Sequence, residues 1–128
     1  MYPKLTSPRI LTAITVLALG LTTLSCNTKS NPVSAADVVI SIRANSSELG
    51  PKAYWPSPDT VAVGTRVAWK NHDSMAHTST QKVGSFTWDT GNISPGSGSI
   101  VVTMIKAGVY TYSCSVMMHK MTGILVVR

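Results

Sequence analysis

Apolar and polar residues alternate along much of the chain after residue 36, with turn residues between short runs. In residues 109–114, Tyr110, Tyr112 and Cys114 fall on one face of an extended chain. This two-residue period is typical of a half-buried β-strand. The predicted strands are residues 38–44, 59–63, 66–71, 85–90, 100–105, 109–114 and 123–128. No segment keeps a helical period over three turns, so we expect an all-β, antiparallel sandwich or barrel.

The N-terminal segment has a different pattern. Lys4 and Arg9 precede a mostly apolar run at residues 10–24. The run is shorter than the roughly 20 residues that a transmembrane helix needs. A basic start followed by a short apolar run is typical of a secretory signal peptide. We therefore predict a signal peptide over residues 1–25.

The end of this signal, "TTLSC", resembles a bacterial lipoprotein signal, in which Cys26 would be lipidated. The alternative is an ordinary signal that is cut later, near "VSAAD". Residues 26–36 are small and polar and predict a flexible tether, and residues 37–128 predict one folded domain. In either case the domain is exported, to the periplasm or the outer face of a bacterial membrane, and is most simply held there by a lipid on Cys26.

Charge excludes some functions. The chain has 11 basic and 5 acidic residues and a formal net charge of +6. Without Lys4 and Arg9 the excess is about four, and it includes no basic run with interleaved aromatic residues, which argues against nucleic-acid binding. The five acidic residues are scattered, which argues against a paired-carboxylate enzyme.

The two cysteines stand far apart, one at the signal boundary and one near the C-terminus. If Cys26 is lipidated, Cys114 has no disulfide partner in an oxidising compartment. A metal ion is the usual occupant of such a thiol. The segment "CSVMMHKMTG" around it adds one histidine and three methionines.

The three histidines are His72, His77 and His119. His72 is expected to be exposed in a turn. His77 follows the strand at residues 66–71, and His119 shares a loop with Cys114. Because strand-end loops cluster at the poles of a sandwich, His77 can meet this loop. Two imidazoles, a thiolate and a weak thioether select copper for electron transfer, whereas structural zinc sites usually bring paired cysteines.

Three stretches carry a family resemblance, "YWPSPDTVAVGTRVAWKNHDSMAHTST", "FTWDTGNISPGSGSIVVT" and "KAGVYTYSC" with "MTGILVV". They resemble the cupredoxins, the plastocyanin-like blue copper domains, over nearly all of residues 37–128. The resemblance implies a Greek-key β-sandwich, one mononuclear copper ion and single-electron transfer. It implies His77 as the first ligand and Cys114 as the thiolate. Thr78 falls where such proteins often pin the ligand loop by a hydrogen bond.

The loop departs from the family pattern C-S-x-H-P-x-M-T-G, since Met117 and Met118 replace the His-Pro pair and one residue is inserted. We prefer His119 as the second imidazole and Met121 as the axial thioether. A second assignment pairs His119 with Met117 or Met118. A third puts a methionine in place of the histidine.

We therefore expect a monomeric electron carrier, not an enzyme, with transient redox protein partners. Its solvent-facing imidazole would be His119, and Met117, Met118 and Met121 would form a small apolar docking patch. The alternative is a periplasmic copper-binding or delivery module with a methionine-rich site. A metal-free interaction domain ranks third. A hydrolase ranks last, because no orienting acid is evident beside Cys114 and His119.

Overall fold

A computed structural model describes residues 32–128. The predicted signal peptide and Cys26 lie outside the described residues. Pro32–Ala35, part of the predicted tether, form a short 3-10 helix. The boundary at residue 37 stays a prediction. None of the helices within residues 32–128 has the length and apolar character needed to cross a membrane.

Eight strands within the described residues form two four-stranded sheets. The strands are β1 (Val38–Ile42), β2 (Tyr54–Trp55), β3 (Asp59–Val61), β4 (Arg66–Asn71), β5 (Thr80–Val83), β6 (Val102–Thr103), β7 (Gly108–Ser113) and β8 (Thr122–Val127). One sheet has the order β2-β1-β4-β6 and the other β3-β8-β7-β5. Two further 3-10 helices, Ser46–Glu48 and Gly50–Lys52, connect β1 to β2.

The prediction of an all-β sandwich is confirmed, with one difference in strand direction. β1 pairs with β4 in parallel, and β3 pairs with β8 in parallel. The other pairings are antiparallel. Each sheet is therefore mixed, whereas the alternation of single strands had suggested antiparallel sheets. Alternation reports which face of a strand is buried and carries no information on the direction of its neighbour.

The core lies between the sheets and is rich in aromatic residues. Trp69 from β4 meets Tyr112 from β7 edge-on, with ring centroids 5.6 Å apart. Trp69 also stacks on Trp88 at 5.9 Å. Trp69, Tyr110 and Tyr112 are almost completely buried. Aromatic pairs of this kind contribute beyond the area that they bury, and here they belong to the hydrophobic core.

The register of the strands places two connections at one pole. β4 ends at Asn71, and residues 72–79 cross from there to β5 in the other sheet. We call residues 72–79 the His77 connection. β7 and β8 are antiparallel, with Ser113 opposite Thr122. Residues 114–121, which we call the Cys114 loop, therefore lie at the same pole, because β5 also starts there, with Thr80 opposite Ser113.

Candidate metal centre

Three side chains from the two connections converge at this pole. His77, Cys114 and His119 bring their donor atoms within 4.8 Å of one another. The Cys114 Sγ lies 3.9 Å from His77 Nδ1 and 3.5 Å from His119 Nδ1. The two Nδ1 atoms are 3.1 Å apart. Two imidazole nitrogens and one sulfur that face a common centre are a set that suits a copper ion.

Backbone geometry places Cys114. Its N–H donates to the Met121 carbonyl at 3.3 Å, which closes the base of the Cys114 loop. Its sulfur accepts the Thr78 N–H at 3.3 Å. Cys114 is only 7% exposed. It is the one free cysteine among residues 32–128. The Thr78 amide therefore helps to hold the sulfur where it faces the two imidazoles.

Thr78 joins the two connections through three groups. Besides its N–H contact with Cys114, its Oγ1 accepts the Ser115 N–H at 2.7 Å. Its carbonyl accepts the Tyr54 hydroxyl at 2.6 Å. Burial, with a smaller contribution from Cys114, raises the pKa of Tyr54 well above its usual value, so this hydroxyl stays a donor. The loop-pinning hydrogen bond that the sequence resemblance implied for Thr78 is therefore present.

His77 is completely buried, and both its backbone and its two ring nitrogens have polar neighbours. Its backbone exchanges two hydrogen bonds with Ile93 at 3.2 and 2.7 Å. While Nδ1 faces Cys114 and His119, Nε2 lies 2.7 Å from Asp73 Oδ2 and 3.1 Å from Ser46 Oγ. The far nitrogen of the ring therefore has polar partners.

Asp73 and Ser46 were not recognised from the sequence. The sequence analysis found no orienting acid beside Cys114 and His119, and the structure places an acid, Asp73, against the third donor residue, His77. The available signal was the four-residue step from Asp73 to His77 within "NHDSMAH". Ser46 is 31 residues from His77, in the connection after β1, and no local sequence pattern indicates its contact with His77.

Asp73 is a buried carboxylate with many donors. Burial acts to raise the pKa of Asp73, but hydrogen bonds from His77 and from the backbone of Asn45, Ser74 and Ser46 outweigh it. The pKa of Asp73 is accordingly held below its usual range, and the group is an anion at neutral pH.

The arrangement Cys114–His77–Asp73 has the residue order of a nucleophilic triad, yet its geometry favours metal binding. His119 Nδ1 lies closer to the Cys114 sulfur, at 3.5 Å, than His77 Nδ1 does, at 3.9 Å. A second imidazole pointing at the sulfur has no role in a triad, whereas it completes a trigonal ligand set.

The methionines of the Cys114 loop divide into two groups. Met117 and Met118 are each 86% exposed, whereas Met121 is 1% exposed. The predicted apolar patch at this pole therefore includes Met117 and Met118 but not Met121, which belongs to the core. His119 is half-buried between these environments. His72 is exposed, as expected from its turn.

No protein-family model matches the sequence, and no curated protein matches it. Solved structures do match. A purple cupredoxin from Nitrosopumilus maritimus is 25% identical, with a TM-score of 0.59, over 72% of this chain and 100% of that chain. A methionine-to-alanine variant of amicyanin in its Cu(I) form is 22% identical, with a TM-score of 0.56, over 71% and 81%.

A third similar structure is much longer. The Cu-containing nitrite reductase from Thermus scotoductus SA-01 is 22% identical, with a TM-score of 0.57, over 71% of this chain but only 22% of that chain. These three proteins differ in length but share the β-sandwich, so the similarity reports the fold and not one particular protein. The chain has the cupredoxin fold, and His77, Cys114 and His119 form a candidate copper site at one pole of it.

Proposed function

We propose that this protein is a mononuclear copper protein that carries single electrons. The observation that carries the proposal is the convergence of two imidazole nitrogens and one buried sulfur within 4.8 Å at the pole of a cupredoxin fold. Sulfur and imidazole donors fit copper in both of its oxidation states. A bound copper ion would supply a one-electron couple at this position.

His77, Cys114 and His119 would be the three strong ligands, and Met121 would be the axial thioether. Burial supports Met121 over Met117 and Met118, since a thioether at the base of the Cys114 loop is shielded from water. The close approach of His119 to Cys114 supports the assignments in which His119 is an imidazole ligand. The hydrogen bonds of Thr78, including the one from the buried Tyr54 hydroxyl, would keep the donors in place when the charge of the site changes.

The exposed part of the site would exchange electrons with partner proteins. The half-buried His119 ring is the natural exit, with Met117 and Met118 as the apolar surface around it. Small contacts of this kind suit transient redox encounters. In this proposal the protein is a monomer that works at the outer face of a bacterial membrane, held there by a lipid on Cys26, which raises its local concentration near membrane partners.

The test is optical. The isolated protein is titrated with Cu(II) and its visible spectrum recorded, with Cys114→Ser and Met117→Leu as the matched variants. We expect an intense thiolate-to-copper band that saturates at one copper per chain, is lost in Cys114→Ser and is unchanged in Met117→Leu. An absent band, or one that persists in Cys114→Ser, contradicts the proposal.

The second candidate is a copper-delivery module, which the exposed Met117 and Met118 favour because thioethers bind Cu(I) well. Self-exchange of electrons between Cu(I) and Cu(II) forms of the protein separates the two. Fast exchange supports a carrier. Slow exchange combined with very tight Cu(I) retention, weakened in the Met117→Leu, Met118→Leu double variant, supports delivery.

A further inference from the structure

The carboxylate of Asp73 lies behind the site and is surrounded by donors. Oδ1 accepts the N–H of Asn45 at 3.0 Å and of Ser74 at 2.8 Å. Oδ2 accepts the N–H and the hydroxyl of Ser46 at 3.1 and 3.2 Å. The shortest contact of Oδ2, at 2.7 Å, is with His77 Nε2. The carboxylate is therefore fixed in position by contacts from two segments of the chain, the turn at Asn45 and Ser46 and its own His77 connection.

The segment that supplies most of these donors has an unusual backbone. Asn45 has a φ of 58°, in the left-handed region. Asparagine tolerates this region better than most residues. The next two residues continue the contact to the site, since Ser46 touches His77 and the Ser47 carbonyl accepts the Lys120 N–H at 2.7 Å. One short turn therefore supports both the His77 connection and the Cys114 loop.

The contact with Asp73 decides which nitrogen of His77 carries its hydrogen. A carboxylate that accepts four other hydrogen bonds can approach Nε2 to 2.7 Å only if Nε2 is a donor. The Ser46 hydroxyl already donates to Asp73 and does not compete for that role. His77 Nδ1 is consequently left with a lone pair, and this is the atom that faces Cys114 and His119.

His119 has no such support. Its Nδ1 faces Cys114 and His77, but within residues 32–128 no hydrogen bond to its Nε2 occurs. Its ring is half-buried, whereas that of His77 is completely buried. Only one of the two imidazoles is therefore coupled to a buried negative charge.

We propose that Asp73 is a positioning residue for His77, whose carboxylate holds the Nε2–H tautomer and biases the copper site toward Cu(II). The proposal rests on the copper function argued above. A carboxylate behind a ligating imidazole raises the basicity of that ligand. A buried negative charge also stabilises the more positive oxidation state more than the less positive one.

A purely structural role for Asp73 makes a different prediction. If Asp73 only secures the turn at Asn45 and Ser46, its replacement lowers stability without a change in the redox equilibrium. The readouts must therefore be the tautomer of His77 and the reduction potential, and not stability.

The first experiment uses the wild-type protein without copper. A long-range ¹H–¹⁵N spectrum of the histidine rings at pH 8 reports the tautomer of His77. We expect the Nε2–H tautomer, with the slow hydrogen exchange of a buried donor. This result does not depend on copper binding. His77 in the Nδ1–H tautomer overturns the proposal.

The second experiment measures the reduction potential of the copper protein for wild type, Asp73→Asn, Ser46→Ala and Asp37→Asn. We expect Asp73→Asn to increase the equilibrium constant for reduction about tenfold, which is about 59 mV for one electron. Ser46→Ala keeps the charge, so we expect a shift less than half as large. Asp37→Asn removes an exposed carboxylate and serves as the control, with no shift.

The outcomes separate this proposal from the copper function. If the wild type shows no thiolate-to-copper band, the proposed copper function is wrong. The tautomer of His77 still tests, in that case, whether Asp73 positions His77. A normal band with a shift for Asp73→Asn less than about twofold overturns the redox bias, since removal of the charge then has no effect. If Asp73→Asn does not fold, Asp73→Ser, whose hydroxyl can still accept from His77, takes its place.

Discussion

The two connections that form the site differ in how far their side chains are buried in the protein. In the His77 connection, Asp73, His77, Thr78 and Ser79 are all buried and hydrogen-bonded. In the Cys114 loop, both ends are buried but Met117 and Met118 between them are 86% exposed. The His77 side of the site is enclosed around His77 itself, although His72, Ser74 and Met75 of that connection are exposed. The Cys114 side is open to solvent at Met117 and Met118.

This difference suits an electron carrier. A buried polar connection must satisfy its donors and acceptors within the protein, so its geometry is well determined. An exposed loop has no such requirement and is free to present an apolar surface around His119. In the proposed carrier, the buried residues of the His77 connection would position His77, and the exposed Cys114 loop would provide the route for electron exchange.

The largest expected effect on stability comes from replacing His77 or His119, one at a time, in the copper-free protein. His77→Ala removes a completely buried ring and its hydrogen bond to Asp73, and we expect a loss of about 4 kcal/mol in the free energy of unfolding from the cavity and the lost hydrogen bond together. His119→Ala removes a half-buried ring, and we expect a loss of less than about 1 kcal/mol. Urea denaturation followed by tryptophan fluorescence measures both. Equal losses would mean that the two connections are equally organised without metal.

The second test compares methionines within the Cys114 loop. Met121 lies in the core, so Met121→Ala is expected to cost about 3 kcal/mol through lost burial and the cavity left behind. Met117→Ala and Met118→Ala should each change the stability by less than about 0.5 kcal/mol.

Met121→Leu is the companion variant, because it conserves volume and should cost less than about 1.5 kcal/mol. In the copper form it should nevertheless alter the visible and EPR spectra, as expected for the loss of an axial ligand. An unchanged spectrum in Met121→Leu, with a changed one in Met118→Leu, would transfer the axial role to Met118.

The fold was largely predictable where burial imposes a pattern. β4 was predicted with the bounds Arg66–Asn71 that the structure shows, because a tight turn precedes a short, largely apolar run that is buried from Val67 to Trp69. β5 was missed, since "TQKV" lies at a sheet edge and buries little. Residues 85–90 were predicted as a strand, but they form an irregular segment that packs Phe86 and Trp88 on the core. Apolar spacing identified the burial there but not the conformation.

The candidate metal ligands of the site were predictable from the sequence, but the residues that hold them in place were not. Cysteine and histidine are rare in this chain, and their placement at strand ends pointed to the group that the structure brings together. The role of Asp73 depends on backbone donors at Asn45 and Ser46, 28 and 27 residues away. No local pattern indicates that a polar turn will be buried by such a distant segment.

A smaller loss of stability is expected when the hydrogen bond by which Thr78 joins the His77 connection to the Cys114 loop is removed. Thr78→Val keeps the volume of the side chain but leaves the Ser115 N–H, now bonded at 2.7 Å, without its acceptor. We expect a loss of about 1.5 kcal/mol in stability. Thr60→Val, at an exposed strand position, is the matched control and should be close to neutral. If both variants behave alike, Thr78 does not fasten the Cys114 loop.

The smallest effect concerns an ion pair that lies away from both connections, at the start of β1 and β4. Asp37 Oδ1 lies 2.7 Å from Arg66 Nη2. The side-chain hydrogen bond from Arg66, followed by its backbone N–H, lowers the pKa of Asp37 from 3.8 to about 2. Because the folded pKa is below the unfolded one, the pair stabilises the fold above about pH 4, and this contribution is lost as the pH falls toward 2.

Asp37→Asn should therefore lower the urea midpoint slightly at pH 5, and the gap to the wild type should narrow at pH 3. Both side chains are about half exposed, so 1 M NaCl should reduce the gap at pH 5. The visible spectrum of the copper form should stay unchanged in this variant, since the pair touches neither connection. A gap that widens on acidification would reverse the sign argued here, and an altered spectrum would show that the pole of the sandwich responds to charge at its far end.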